Sequence, residues 1–160
     1  MVSEKEFSRL IGQHQNIIHK ISLLYSNDPS DREDLFQEIC LQLWRSYDGF
    51  QGQSKFSTWL YRVSLNTAIS YMRKKANWLT FGLPVPEDRI PSQDTEPHED
   101  SVALTRAISR LNRIDRAVIL LWLEGETYSD IAQILGISAS NVSVKMVRIK
   151  KKMKEIVAET

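Results

Sequence analysis

Apolar residues recur every three or four positions through most of this chain, and nowhere do they alternate with polar ones as a half-buried strand requires. Phe7, Leu10, Ile11, Ile17, Ile18, Ile21 and Leu24 form one helical stripe, opened by Ser3 and Glu6 at capping-box spacing. After a break at Pro29, Ser30 and Glu33 repeat that spacing. Leu35, Phe36, Ile39, Cys40 and Leu43 then supply a second stripe, ended by Gly49 and Gly52. A third helix is expected from about Ser57 to Lys75, with Leu60, Tyr61, Leu65, Ala68, Tyr71 and Met72 on one side. Further helices are expected from about Ser101 to Leu111 and Asp115 to Leu123, and two more within "YSDIAQILGISASNVSVKMVRIKKKMKEI", Tyr128 to Ile156. The expected fold class is all-α.

The periodicity lapses between Leu79 and Glu99, where Gly82, Pro84, Pro86, Pro91 and Pro97 fall among acidic residues. Such a composition suits an extended linker. The chain is accordingly divided into a helical domain over residues 1–78, an acidic Pro-containing linker over 79–100 and a second helical domain over 101–160. With 42% hydrophobic residues, either half can pack a core.

The last two helices carry the clearest motif. Thr127 and Asp130 have capping spacing, and Tyr128, Ile131, Ala132 and Leu135 follow as one buried stripe. Gly136 can take the left-handed conformation that ends a helix, and Ser138 can cap the next. The turn between them is the geometry of a helix-turn-helix. On the final helix Val142, Met146, Ile149, Met153 and Ile156 share the core side. Ser138 and Ser140 near its start, and Ser143, Val144, Val147, Arg148 and Lys151 along it, make an outward face with Lys145 on the flank. Cations for phosphates, short hydroxyls for close approach and methyls for thymine are what a helix entering a major groove needs. Single surface valines are also common, and alone they would prove nothing.

Net charge is +1, from 21 Lys and Arg against 20 Asp and Glu, so no global field marks a polyanion binder. Local segregation does. Residues 143–154 hold Lys145, Arg148, Lys150, Lys151, Lys152 and Lys154 and no acid, whereas Glu87, Asp88, Asp94, Glu96, Glu99 and Asp100 face only Arg89. Cys40 is the single cysteine, excluding an internal disulfide, and is expected to be a buried, inert thiol. His14, His19 and His98 do not meet Cys or carboxylates at ligand spacing, so no metal or other cofactor is expected. There is no phosphate loop or nucleophile elbow, and an enzyme is not expected. The absence of an apolar run of membrane-spanning length and of a signal peptide points to a cytoplasmic protein.

The third helix has an unusual outer face, on which Trp59, Arg62, Val63, Asn66, Ser70 and Arg73 are extended by Lys74 and Lys75. An aromatic platform beside an amide and cations suits single-stranded or melting nucleic acid. The preceding loop, "FQGQSKFSTW", contributes Lys55 and Phe56, with small polar groups that can hold an unstacked base. The alternative is that Trp59 packs into the core. The second helix instead presents Asp31, Glu33, Asp34, Gln37, Glu38 and Gln42, an acidic face that repels DNA and suits a basic protein partner or water.

In this order the motifs resemble those of bacterial sigma factors of the extracytoplasmic-function type. "DREDLFQEICLQLWRSYDGFQGQSKFSTWLYRVSLNTAISYMRK" is similar to the family's second domain, and "LNRIDRAVILLWLEGETYSDIAQILGISASNVSVKMVRIKKKMKEI" to its fourth. The resemblance implies that the helix with Asp34, Leu35, Gln37 and Glu38 docks on the clamp helices of core RNA polymerase. It implies that Lys55, Phe56, Trp59, Arg62, Val63, Asn66 and Arg73 engage the minus-ten element of promoter DNA, the loop capturing a flipped base. Ser138, Ser140, Ser143, Val144, Val147, Arg148 and Lys151 would then read the minus-thirty-five element. The linker would thread toward the RNA exit path, and an anti-sigma protein is an expected partner.

Ser70 stands where members often carry Asp, and Ser143 with Val144 where an Arg-Ser pair is frequent. "LNRID" lacks a proline common after that leucine, a change expected to affect only a helix start. Two other readings remain at this point: a stand-alone helix-turn-helix regulator, and an adaptor whose basic helix binds an acidic protein.

Overall fold

A computed structural model describes residues 3–26, 28–52, 54–80 and 99–159. Among these there are seven α-helices, one short 3-10 turn and no strand. The chain divides into two compact units at Ser92 and Gln93.

In the first unit, α1 spans Glu4–Tyr25, α2 Pro29–Ser46 and α3 Phe56–Thr80, each packed on the other two. Ser3 caps α1, its Oγ accepting the Glu6 N–H at 3.2 Å, with Glu4 and Glu6 favourably placed at the positive end of the helix dipole. Phe7, Ile18, Ile21 and Leu24 are buried, while Leu10, Ile11 and Ile17 lie at the margin of the stripe. The start of α2 differs from the sequence expectation. The cap is Asp28, whose Oδ1 accepts the Asp31 N–H at 2.9 Å, and Pro29 is the first helical residue. Proline's φ is pre-set for that position and its missing N–H is not needed there, so Pro29 begins the helix and Ser30 lies inside it.

Leu35, Ile39 and Leu43 recur at i, i+4 and i+8 and are completely buried, as are Leu60, Leu65 and Ala68 of α3. These apolar rows form the three-helix core. The chain leaves α2 through a 3-10 turn, Tyr47–Gly49, before α3. Cys40 is only half-buried, and even that partial burial raises its thiol pKa above the usual range.

In the second unit, α4 spans Glu99–Ser109, α5 Arg113–Leu123, α6 Tyr128–Leu135 and α7 Ala139–Ala158. Asn112 caps α5 by accepting the Asp115 N–H at 2.9 Å, so the helix starts well without a proline. Val118, Ile119, Leu120 and Leu121 are consecutive and all buried, which makes α5 the central element of this unit. The Arg116 guanidinium donates to the carbonyls of Ser109 and Leu111, fastening the α4–α5 turn. On α6, Ile131 and Ala132 are buried as expected, but Ile134 replaces Leu135 as the third core residue and Leu135 is half-buried.

The linker expectation is shortened at both ends. Leu79 and Thr80 continue α3, and Glu99 and Asp100 open α4. Residues 81–98, with the four prolines and Gly82, lie outside the described residues.

Candidate nucleic-acid interface

The α6–α7 pair is a helix-turn-helix built from local caps. Thr127 Oγ1 accepts the Asp130 N–H at 3.1 Å, and Gly136 ends α6 at φ 70°, where its N–H reaches the Ala132 carbonyl at 2.9 Å. A side chain at this φ would be strained, so glycine is needed for the turn. Ser138 Oγ then accepts the Asn141 N–H at 3.1 Å and lies 3.2 Å from the Ser140 hydroxyl. One side of α7 is anchored by Val142, Met146, Ile149 and Ile156. Ser138, Ser140, Ser143, Arg148 and Lys151 are exposed, and so are Val144 at 50% and Val147 at 69%. These seven outward residues are therefore all exposed, and only Lys145 on the flank is half-buried.

Two lysines of the basic run are engaged at home. Lys145 is half-buried with its Nζ 3.8 Å from Asp115, and the Lys150 ammonium stands 5.0 Å from the centre of the Trp122 ring. Neither partner was visible in helical periodicity, because both come from α5.

The α3 face is built differently. Phe56 is the first residue of α3, so it leaves the loop to which the sequence reading assigned it. Its ring packs 5.9 Å from Phe50, 5.5 Å from Trp59 and 5.0 Å from His14. Trp59 also meets Tyr47 at 5.8 Å and Phe50 at 5.3 Å, and Phe7, itself packed on Trp44, joins the cluster through Tyr47. Trp59 is half-buried, between the free platform and the core residue that the sequence left as alternatives. Lys55, Asn66 and Arg73 are exposed; Arg62, Val63 and Ser70 are half-buried. Lys75 is paired with Asp31 on α2, and Tyr71 OH donates to the same carboxylate across 3.5 Å. Burial and the nearby charges of Asp34 and Asp28 raise the Tyr71 pKa, keeping that donor protonated.

On α2, Asp34 and Gln37 are exposed and Glu38 is half-buried, but Leu35 is not available to a partner. Its register with Ile39 and Leu43 puts it in the core, from where it anchors the acidic face. An open groove of about 720 Å³ runs between α2 and α3, with Asp34 and Glu38 on one wall and Val63, Asn66 and Ser70 on the other. Thus the acidic face and the α3 face, read separately from sequence, share one border. Among the described residues no cluster of His, Cys, Asp and Glu could hold a metal ion, and no helix is long and apolar enough to cross a membrane.

One unit thus carries a helix-turn-helix with an exposed, partly cationic face on its last helix, and the other a polar, aromatic-backed helix face. The family profile for Sigma-70 region 2 matches residues 10–77, and that for Sigma-70 region 4 matches residues 101–153. The ECF RNA polymerase sigma factor SigE of Mycolicibacterium smegmatis is 26% identical over 96% of this chain, which spans 62% of that protein's length. The ECF RNA polymerase sigma-E factor of Haemophilus influenzae is 28% identical over 91% of this chain and 84% of its own.

Two solved structures share the fold. RpoE of Bartonella quintana, in complex with the anti-sigma factor NepR, has a TM-score of 0.78 at 23% identity over 96% of this chain and 98% of that one. CnrH, in complex with the cytosolic domain of CnrY, has a TM-score of 0.70 at 20% identity over 98% and 90%. The chain belongs to the Sigma-70 family, in its extracytoplasmic-function group. A stand-alone helix-turn-helix regulator is thereby set aside, because a Sigma-70 region 2 unit precedes the motif.

Proposed function

We propose that this chain binds core RNA polymerase and directs it to a specific set of promoters, without catalysis of its own and in the cytoplasm. The observation that carries this reading is the pairing of two unlike faces in the family's order. The α7 face, from Ser138 to Lys151, is accessible and cationic and reads the minus-thirty-five element as duplex. Lys55, Trp59, Arg62, Val63, Asn66 and Arg73 engage the minus-ten element as it opens, and Phe56 supports them from within the ring cluster.

Asp34, Gln37 and Glu38 dock on the polymerase clamp helices, with Leu35 holding the helix from below. As RpoE of Bartonella quintana is held by an anti-sigma factor, a partner of that kind is proposed here too. The test is multi-round transcription with purified core polymerase on a promoter library, with and without the chain. New start sites sharing two spaced elements are expected, and no new specific start would refute the proposal.

A further inference from the structure

The acidic helix and the promoter-facing helix are clasped at one end. Asp31, in the first turn of α2, receives the Lys75 ammonium and the Tyr71 hydroxyl, both from α3 and 40 or more residues away in sequence. The carboxylate is the more sheltered partner, 19% exposed against 43% for Lys75. Asp34 and Glu38 lie one and two turns farther along α2, and Asn66 and Ser70 lie on the preceding turns of α3. All four line the groove, and Tyr71 belongs to both groove and clasp.

We infer that Asp31 is a positioning residue that transmits the hold of core polymerase on α2 to the strand-opening face of α3. The inference rests on the assignment of those two faces given above. Core polymerase grips α2, whereas separating the promoter strands loads α3. A rigid connection between the helices is therefore needed while the duplex resists, and not when the helices only dock or when the strands are already apart. The clasp also engages the Lys75 ammonium with protein, although Lys75, like Arg73 and Lys74, remains exposed.

The test uses the full chain with core polymerase and four variants: Asp31→Asn, Lys75→Ala, Lys75→Arg, and Asp31→Asn with Lys75→Ala. Core affinity, open-complex formation on duplex and on pre-melted promoters, and thermal unfolding are measured. Asp31→Asn and Lys75→Ala should each slow opening of the duplex about fivefold, within the range for directly coupled pairs. Core affinity and opening on the pre-melted promoter should change by less than about twofold, with the double variant no slower than the worse single one. Lys75→Arg, which keeps the pair, should behave as the parent.

Unchanged duplex opening in both single variants overturns the inference. So does an equal loss on both promoters, a loss that tracks core affinity or melting, or single losses that multiply in the double variant. Two controls test the face assignment independently: Asn66→Ala for opening, and Asp34→Lys with Glu38→Lys for docking. If they behave as assigned while the Asp31 and Lys75 variants do not, only the clasp fails. If the controls also fail, the face assignment falls with it.

Discussion

The faces of α3 and α7 proposed to meet nucleic acid differ in how their side chains are held. On α7 the outward residues are short or cationic and exposed, and rigidity comes from the opposite side of the helix, where Val142, Met146 and Ile149 are buried. On α3, Phe56 and Trp59 are themselves half-buried, each in contact with two or more other rings. A closed duplex already presents its base edges in order, so the protein needs side chains that reach into a groove. Bases leaving a stack have no order to read, so the protein must supply a surface fixed beforehand.

That contrast can be broken most forcefully from below. Leu35→Ala should destabilise the first unit by about 2–5 kcal/mol, the range for truncating a buried leucine, whereas Gln37→Ala on the same helix should change stability by less than about 0.5 kcal/mol. Urea unfolding checks both, and equal effects would return Leu35 to the surface. On α7 the effects should appear in binding instead. Arg148→Ala should weaken minus-thirty-five duplex binding by about 1–2 kcal/mol and reduce the salt dependence by about one charge, with thermal stability nearly unchanged.

Val147→Ser should lower selectivity at one or two base pairs by about 1 kcal/mol in a competition assay. An unaltered preference would make Val147 an ordinary surface valine. The smallest effect has the opposite sign. Ser64 is completely buried in α3 with no hydrogen-bond partner for its hydroxyl among the described residues, so Ser64→Ala should stabilise the first unit by up to about 1 kcal/mol in the same urea assay.

What could be read from sequence was local. Ser3, Thr127, Gly136 and Ser138 act through residues three or four positions away, and all four adopt the expected cap geometry. A Pro29 that breaks a helix and one that opens it look alike in sequence; what decides is the Asp28 carboxylate, which accepts the Asp31 N–H. Leu35 entered the docking set with its motif, although its spacing with Ile39 and Leu43 already pointed inward. The ring cluster around Trp59 and the engagements of Lys145 and Lys150 depend on which helices meet, and no single-helix pattern contains that information.

Those two lysines have a consequence for encounter with DNA. Placed on the two flanks of α7, they have their charge offset by Asp115 and by the electron-rich face of Trp122. The positive field is weighted toward Arg148 and Lys151, with the exposed Lys152 and Lys154 adding to it toward the C-terminal end of the helix. Charge weighted to one side experiences, in the field of a polyanion, a torque about the helix axis as well as a pull. On the proposed reading of α7, the rotational search would be shortened before contact, and the helix would arrive with its hydroxyls and valines turned toward the bases.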